Sequence, residues 1–137
     1  KPFDPEKLYA FLTGEHLDRV IRAKGHFWLA TRPDFLAELA IAGTQKSVSR
    51  MGRWWGAVPK NQWPDDGTLE EFVVKHWQEP WGDRRQEMVF IGINMDQAAI
   101  TAALEECLVP GEEFTPEAWE ALNDPFPAWA PATPLPE

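Results

Sequence analysis

Cysteine, serine, histidine and basic charge are all scarce in this 137-residue chain, and each scarcity removes a class of chemistry. Cys107 is the only cysteine, which excludes an internal disulfide and any thiolate-rich metal site built from this chain alone, and fits a reducing compartment. Ser47 and Ser49 are the only serines, and neither lies in a Gly-x-Ser-x-Gly elbow, so no serine-hydrolase triad is legible. Thirteen Lys and Arg against 22 Asp and Glu give a formal net charge of −9, a field that repels a phosphate backbone and makes nucleic acid a poor partner. No apolar run approaches the roughly 20 residues of a membrane helix, and no charged-then-apolar leader opens the sequence. The expectation is a soluble, cytoplasmic protein without a membrane partner. The opening KPFDPEKL lacks an initiator Met, as a cut inside a longer protein would.

The small motifs that remain fall short of their chemistry. GTQKS, residues 43–47, looks like the end of a nucleotide loop but lacks the upstream glycine and the Gly-Lys pair that let consecutive N–H groups curl around a phosphate. His16, His26 and His76 are scattered, and apart from acidic residues, which are common everywhere, none has a second ligand at i+3 or i+4 on a shared face. His26 and His76 stand as the weak metal candidates, against the plainer reading of exposed side chains.

The apolar pattern predicts an α+β domain. FDPEKLYAFL has Asp4 as a cap, Pro5 in the first turn and Leu8, Phe11 and Leu12 on one helical face. From Val20 to Thr31 the alternation is that of a strand, with Ile21, Ala23, Phe27 and Leu29 toward a core and Arg22, Lys24, His26 and Trp28 on the other side. Gly25 in its middle suggests a bulge or a close backbone approach. FLAELAIAG and SVSRMGRWWGAV read as a second and third strand. TLEEFVVKHW reads as a helix with Thr68 and Glu71 as a capping box. QEMVFIGIN, nearly all apolar, reads as a central strand. MDQAAITAALEECLV is a helix behind Asp96, with Ile100, Ala103, Leu104, Cys107 and Leu108 as its stripe, and TPEAWEAL is a short helix capped by Thr115. After Asp124 five prolines in thirteen residues forbid regular structure. The predicted architecture is a mostly antiparallel sheet of four or five strands with helices covering one face. A single domain spans residues 1–124, with its core at about 16–109, and residues 125–137 form a Pro-rich extended tail.

Against these shortages stand eight tryptophans interleaved with cations: Arg22 and Lys24 on the strand's polar face, Arg53 beside Trp54 and Trp55, and Arg84 and Arg85 after Trp81. Trp and Arg supply large contact area with a polar handle and are enriched at interface hot spots. The same pairs also serve as internal cation–π stacks or as cover for a sheet edge. Their other use, holding single-stranded nucleic acid by stacking, runs against the net charge.

VIRAKGHFWLATRP, GRWWGAVP, PWGDRRQEMVFIGINMD and ALEECL, in this order, resemble the C-terminal domain of CobW-type GTPases, a group that includes zinc metallochaperones and proteins linked to cobalamin synthesis. With FDPEKLYAFL and DPFPAW the likeness covers most of residues 3 to 129. The resemblance implies that a GTPase domain, with its P-loop and Cys-x-Cys-Cys metal motif, belongs upstream of Lys1, and that GTP, Mg and Zn belong to the full-length protein. Neither motif occurs here, so no catalytic, cofactor or metal residue carries over. What carries over is limited to the matched blocks: Arg22, Lys24, Gly25, Trp28, Arg84, Arg85, Glu87 and Gly92. The implied role is non-catalytic recognition of the upstream GTPase domain and of a client metalloprotein, with Arg22, Lys24, Trp28, Arg53, Trp54, Trp55, Arg84, Arg85 and Glu87 as the interface candidates. A free-standing metal-delivery domain is the alternative.

Overall fold

The computed structural model describes residues 1–64, 68–129 and 133–134. In chain order the elements are α1 (Pro5–Thr13), β1 (Val20–Leu29), β2 (Arg32–Ala42), β3 (Gln45–Arg53), α2 (Thr68–His76), β4 (Glu87–Gly92), α3 (Gln97–Glu106), the single turn α4 (Pro116–Trp119) and β5 (Thr133–Pro134). The antiparallel sheet has the order β4-β1-β2-β3-β5. The α+β class and the open, antiparallel sheet match the expectation from the sequence, but the helices are not all on one face: α1 and α3 cover one side, and the single turn α4 lies over the other.

Local chemistry explains most of the elements. The Asp4 carboxylate accepts the N–H groups of Glu6 and Lys7, and the Asp96 carboxylate accepts that of Ala99, so both helices start where a side chain satisfies orphan donors. Thr115 makes no such side-chain bond, contrary to its predicted capping role. The Thr68 side chain, on which the predicted Thr68–Glu71 capping box depends, lies outside what the structure describes. Gly43, at φ +61°, supplies the left-handed position of the tight β2–β3 turn, a conformation that costs glycine little.

One face of the sheet is closed by α1 and α3. Leu8, Phe11 and Leu12, with Ile100 and Cys107, pack on Ala23, Phe27, Leu39, Ile41 and Val48. Phe3 stands edge-on to Phe27, with ring centroids 6.1 Å apart.

The apolar run of β4 is not central: β4 is the sheet's edge among the described residues. Met88 and Phe90 alternate toward the core, while Val89 and Ile91 stay outside it. Ile21 is likewise exposed rather than in the core, because a register shift against β4 between Val20 and Arg22 hands its inward position to Val20.

The Pro-rich end also departs from expectation. Thr133 and Pro134 pair with Val48 and Ser47 as a fifth strand, and the segment leading there is fastened to the domain. Arg32 donates to Asp124 through Nε at 2.9 Å and Nη2 at 3.2 Å, and to the carbonyls of Phe126 and Pro127, and it stacks on Trp129 at 4.3 Å. Phe126 is thereby buried against Tyr9. Proline denies the chain ladder donors, not side-chain anchorage.

Candidate docking face

The Gly-Asp-Arg-Arg-Gln-Glu block, residues 82–87, is occupied almost wholly with holding the fold. The Asp83 carboxylate accepts the N–H groups of Trp55 and Gly56 at 3.0 and 2.8 Å. Arg84 is buried, donating to the carbonyls of Pro33 at 2.7 Å and Trp81 at 3.1 Å, with its guanidinium 4.8 Å from the Phe114 ring and 5.6 Å from the Trp28 ring. Burial pushes Arg84 below its ordinary pKa, and the charges of Asp34 and Asp83 oppose that shift. The Gln86 amide accepts the N–H of Trp28 and donates to the carbonyl of Lys1, continuing the β1 ladder where β4 ends. Arg85 donates to Glu87 at 2.8 Å and to the carbonyl of Asp83. That hydrogen bond is the main reason the Glu87 carboxyl lies below the usual carboxylate range.

Three expected interface residues therefore turn inward. Trp28 is 0% exposed, and Trp54 and Arg84 are buried. Trp28 belongs to a second core with Trp81 and Trp119, at centroid distances of 6.0 and 5.9 Å. Alternation along β1 places this core on the same side of the sheet as Arg22 and Lys24, so that side is covered at one end and bare at the other. Spacing showed which side Trp28 faces, but not that residues 81–84 and 114–119 return to cover it. Of the others, Arg53 and Glu87 are exposed, and Trp55 and Arg85 are half-buried. Trp55 lies edge-to-face on Trp63, and Trp63 on Trp77, a chain of indoles beside α2.

The bare end is a continuous surface drawn from four strands. Arg22 is opposite Ala42 and Ile91, Lys24 is opposite Ala40 and Val89, and His26 is opposite Glu38 and Glu87. Ser47 faces Ala40 from β3. Alanines form the floor of a hollow of about 310 Å³, and Arg22, Lys24, Val89 and Ile91 form its sides. Val89 is 65% and Ile91 58% exposed. Lys24 Nζ is 4.0 Å from Glu38, with its side chain 74% exposed, and Arg22 makes no ion pair among the described residues. This face combines apolar area, two exposed cations, of which Lys24 is held only by a long ion pair with Glu38, and a small-residue floor, the elements of a contact surface. Val89 and Ile91 were missed from sequence because an unbroken apolar run hides which half of it faces water. Their place opposite Arg22 and Lys24 is a property of strand pairing.

The histidines do not converge. His26 Nε2 is 3.8 Å from Glu38, His76 packs on Phe72, and His16 stacks on Phe11. Among the described residues no group of three His, Cys, Asp or Glu is placed to hold a metal ion. Cys107 is buried, its Sγ 3.2 Å from the carbonyl of Ala103, and burial pushes its thiol up. Its alkylation by iodoacetamide at neutral pH is expected to be about tenfold slower or more in the folded protein than in urea. Equal rates would show that the α1–α3 seam opens freely.

Residues 1–108 match the family described as "Cobalamin synthesis protein cobW C-terminal domain". Zinc-regulated GTPase metalloprotein activator 1 of Dictyostelium discoideum is 33% identical over 131 residues, covering 92% of this chain and 27% of that protein. A zinc chaperone of Mycobacterium tuberculosis is also 33% identical over 131 residues, covering 94% of this chain and 33% of its own length. The chain thus spans about a third or less of these relatives. No solved structure matches. No described helix is long and apolar enough to cross a membrane.

Proposed function

Because the chain belongs to the cobW C-terminal domain family, we propose that it is the non-catalytic recognition domain of a GTP-driven zinc chaperone, docking through the bare end of its sheet. The partners are a GTPase domain carried upstream and, through it, a client metalloprotein in the cytoplasm. GTP, Mg and Zn are handled by the whole protein. The names of the relatives support the chaperone setting. The observation that carries the docking role is the pairing of exposed Val89 and Ile91 with Lys24 and Arg22 on one uncovered face.

A docking face transmits nucleotide state only through unequal affinity for the two states of its partner. Binding of the GTPase domain loaded with a GTP analogue or with GDP is therefore expected to differ by about tenfold, roughly 1.4 kcal/mol. Equal affinities would remove the switch. The double change Arg22→Glu and Lys24→Glu is expected to weaken that binding about tenfold or more, while urea stability stays within about 0.5 kcal/mol, because both side chains are surface groups. Unchanged binding would sink this face as the docking site.

A further inference from the structure

The sheet ends at β4 in a strand that does little to discourage pairing. Glu87–Gly92 contains no proline and no lysine, and among the described residues no strand lies on its outer side. Edges of this kind are ordinarily blunted by charge, proline, bulges or cover. The Ile93 N–H donates to the carbonyl of Arg19 on the β1 side, so alternation turns the main-chain N–H and C=O groups of Met88 and Phe90 outward. Beside the same edge, between β4 and α3, runs an apolar groove of about 640 Å³ lined by Met88, Phe90, Met95, Ile100 and Leu104.

We propose that this edge accepts an extended, acidic-and-apolar segment of the partner as an added strand. The inference rests on the docking reading above and names its chemistry. Main-chain hydrogen bonds to Met88 and Phe90 supply register, and alternate side chains find different surroundings. One set enters the groove, whose rim carries Glu105, so it is apolar and not acidic. The other set lies beside Val89 and Ile91 with Lys24 and Arg22 one strand further in, and those cations call for carboxylates. A second copy fits less well. Pairing β4 with β4 would set Arg22 and Lys24 of one copy toward the same cations of the other across about three strand spacings, roughly 14 Å, with only Glu87 of each copy between them, a carboxylate already bound by Arg85.

The test is amide hydrogen exchange on the 137-residue chain with a nine-residue peptide alternating Val and Glu. Exchange at Met88 and Phe90 is expected to slow about tenfold or more in the presence of excess peptide. The Arg22→Glu, Lys24→Glu variant is expected to lose that protection and to regain it with a peptide alternating Val and Lys. Unchanged exchange at Met88 and Phe90 with millimolar peptide overturns strand addition. If the GTPase domain still binds the wild-type face in that case, only strand addition falls, whereas loss of that binding too removes the docking reading. Protection of the same two amides without peptide, together with concentration-dependent dimerisation in sedimentation, would assign the edge to a second copy and overturn the proposal.

Discussion

Gly25→Val is expected to cost about 4 kcal/mol or more of stability, most of the margin of a domain near the lower end of the ordinary range of about 5–15 kcal/mol. Gly25 lies at the middle of β1, paired with Met88 on one side and Leu39 on the other. A Cβ built there collides with the carbonyl oxygen of Glu87 and the Cα of Met88. Both are backbone atoms, so no rotamer change relieves the overlap and β4 must part from β1. Parting the strands withdraws Met88 and Phe90 from the core and takes Val89 and Ile91 away from Lys24 and Arg22. Alanine should act almost as strongly, since the first carbon already clashes. Urea unfolding followed by far-ultraviolet circular dichroism measures the cost, and a loss below about 1 kcal/mol for alanine would show that the β1–β4 contact is looser than described.

Trp28→Ala is the second large effect, with an expected loss of about 3–5 kcal/mol. The indole is sealed among Trp81, Trp119 and Phe114 and forms one wall of the slot that holds the Arg84 guanidinium. Removing it opens a cavity and deprives a buried cation of an aromatic face, so the cavity and electrostatic costs act together. The change leaves Arg22 and Lys24 untouched at the bare end of the sheet. Any variant fraction that remains folded is expected to bind the GTPase domain with unaltered affinity. A stability loss under about 1 kcal/mol would contradict the internal role, and a selective loss of binding at full stability would return Trp28 to the interface.

The helices were the most legible elements. Asp4-Pro5 and Asp96 satisfy donors within their own first turns, and the i, i+3, i+4 stripes of α1 and α3 need no knowledge of what they pack on. Strand existence was also legible, since alternation in β1 is a local pattern. Strand position was not. QEMVFIGIN reads the same whether one neighbour flanks it or two, and nothing within it reports that a second neighbour is missing. The Arg and Trp clusters failed for a related reason. A guanidinium beside an indole suits an interface and a core equally, and only the return of residues 114–119 over Trp28 decides between them.

Composition and spacing alone determined that the chain is an α+β domain whose sequence contains no P-loop motif, no nucleophile-elbow motif and no second cysteine, because such motifs are residues at fixed local separations. The tertiary structure alone decided which of its cations and apolar side chains face water. Arg22 and Arg84 are chemically identical. The first makes no ion pair among the described residues and lies opposite Ile91, and the second is locked against Pro33 and Phe114. That difference is made by segments more than 25 residues away in the chain, whose approach costs conformational entropy that only burial of the whole core repays.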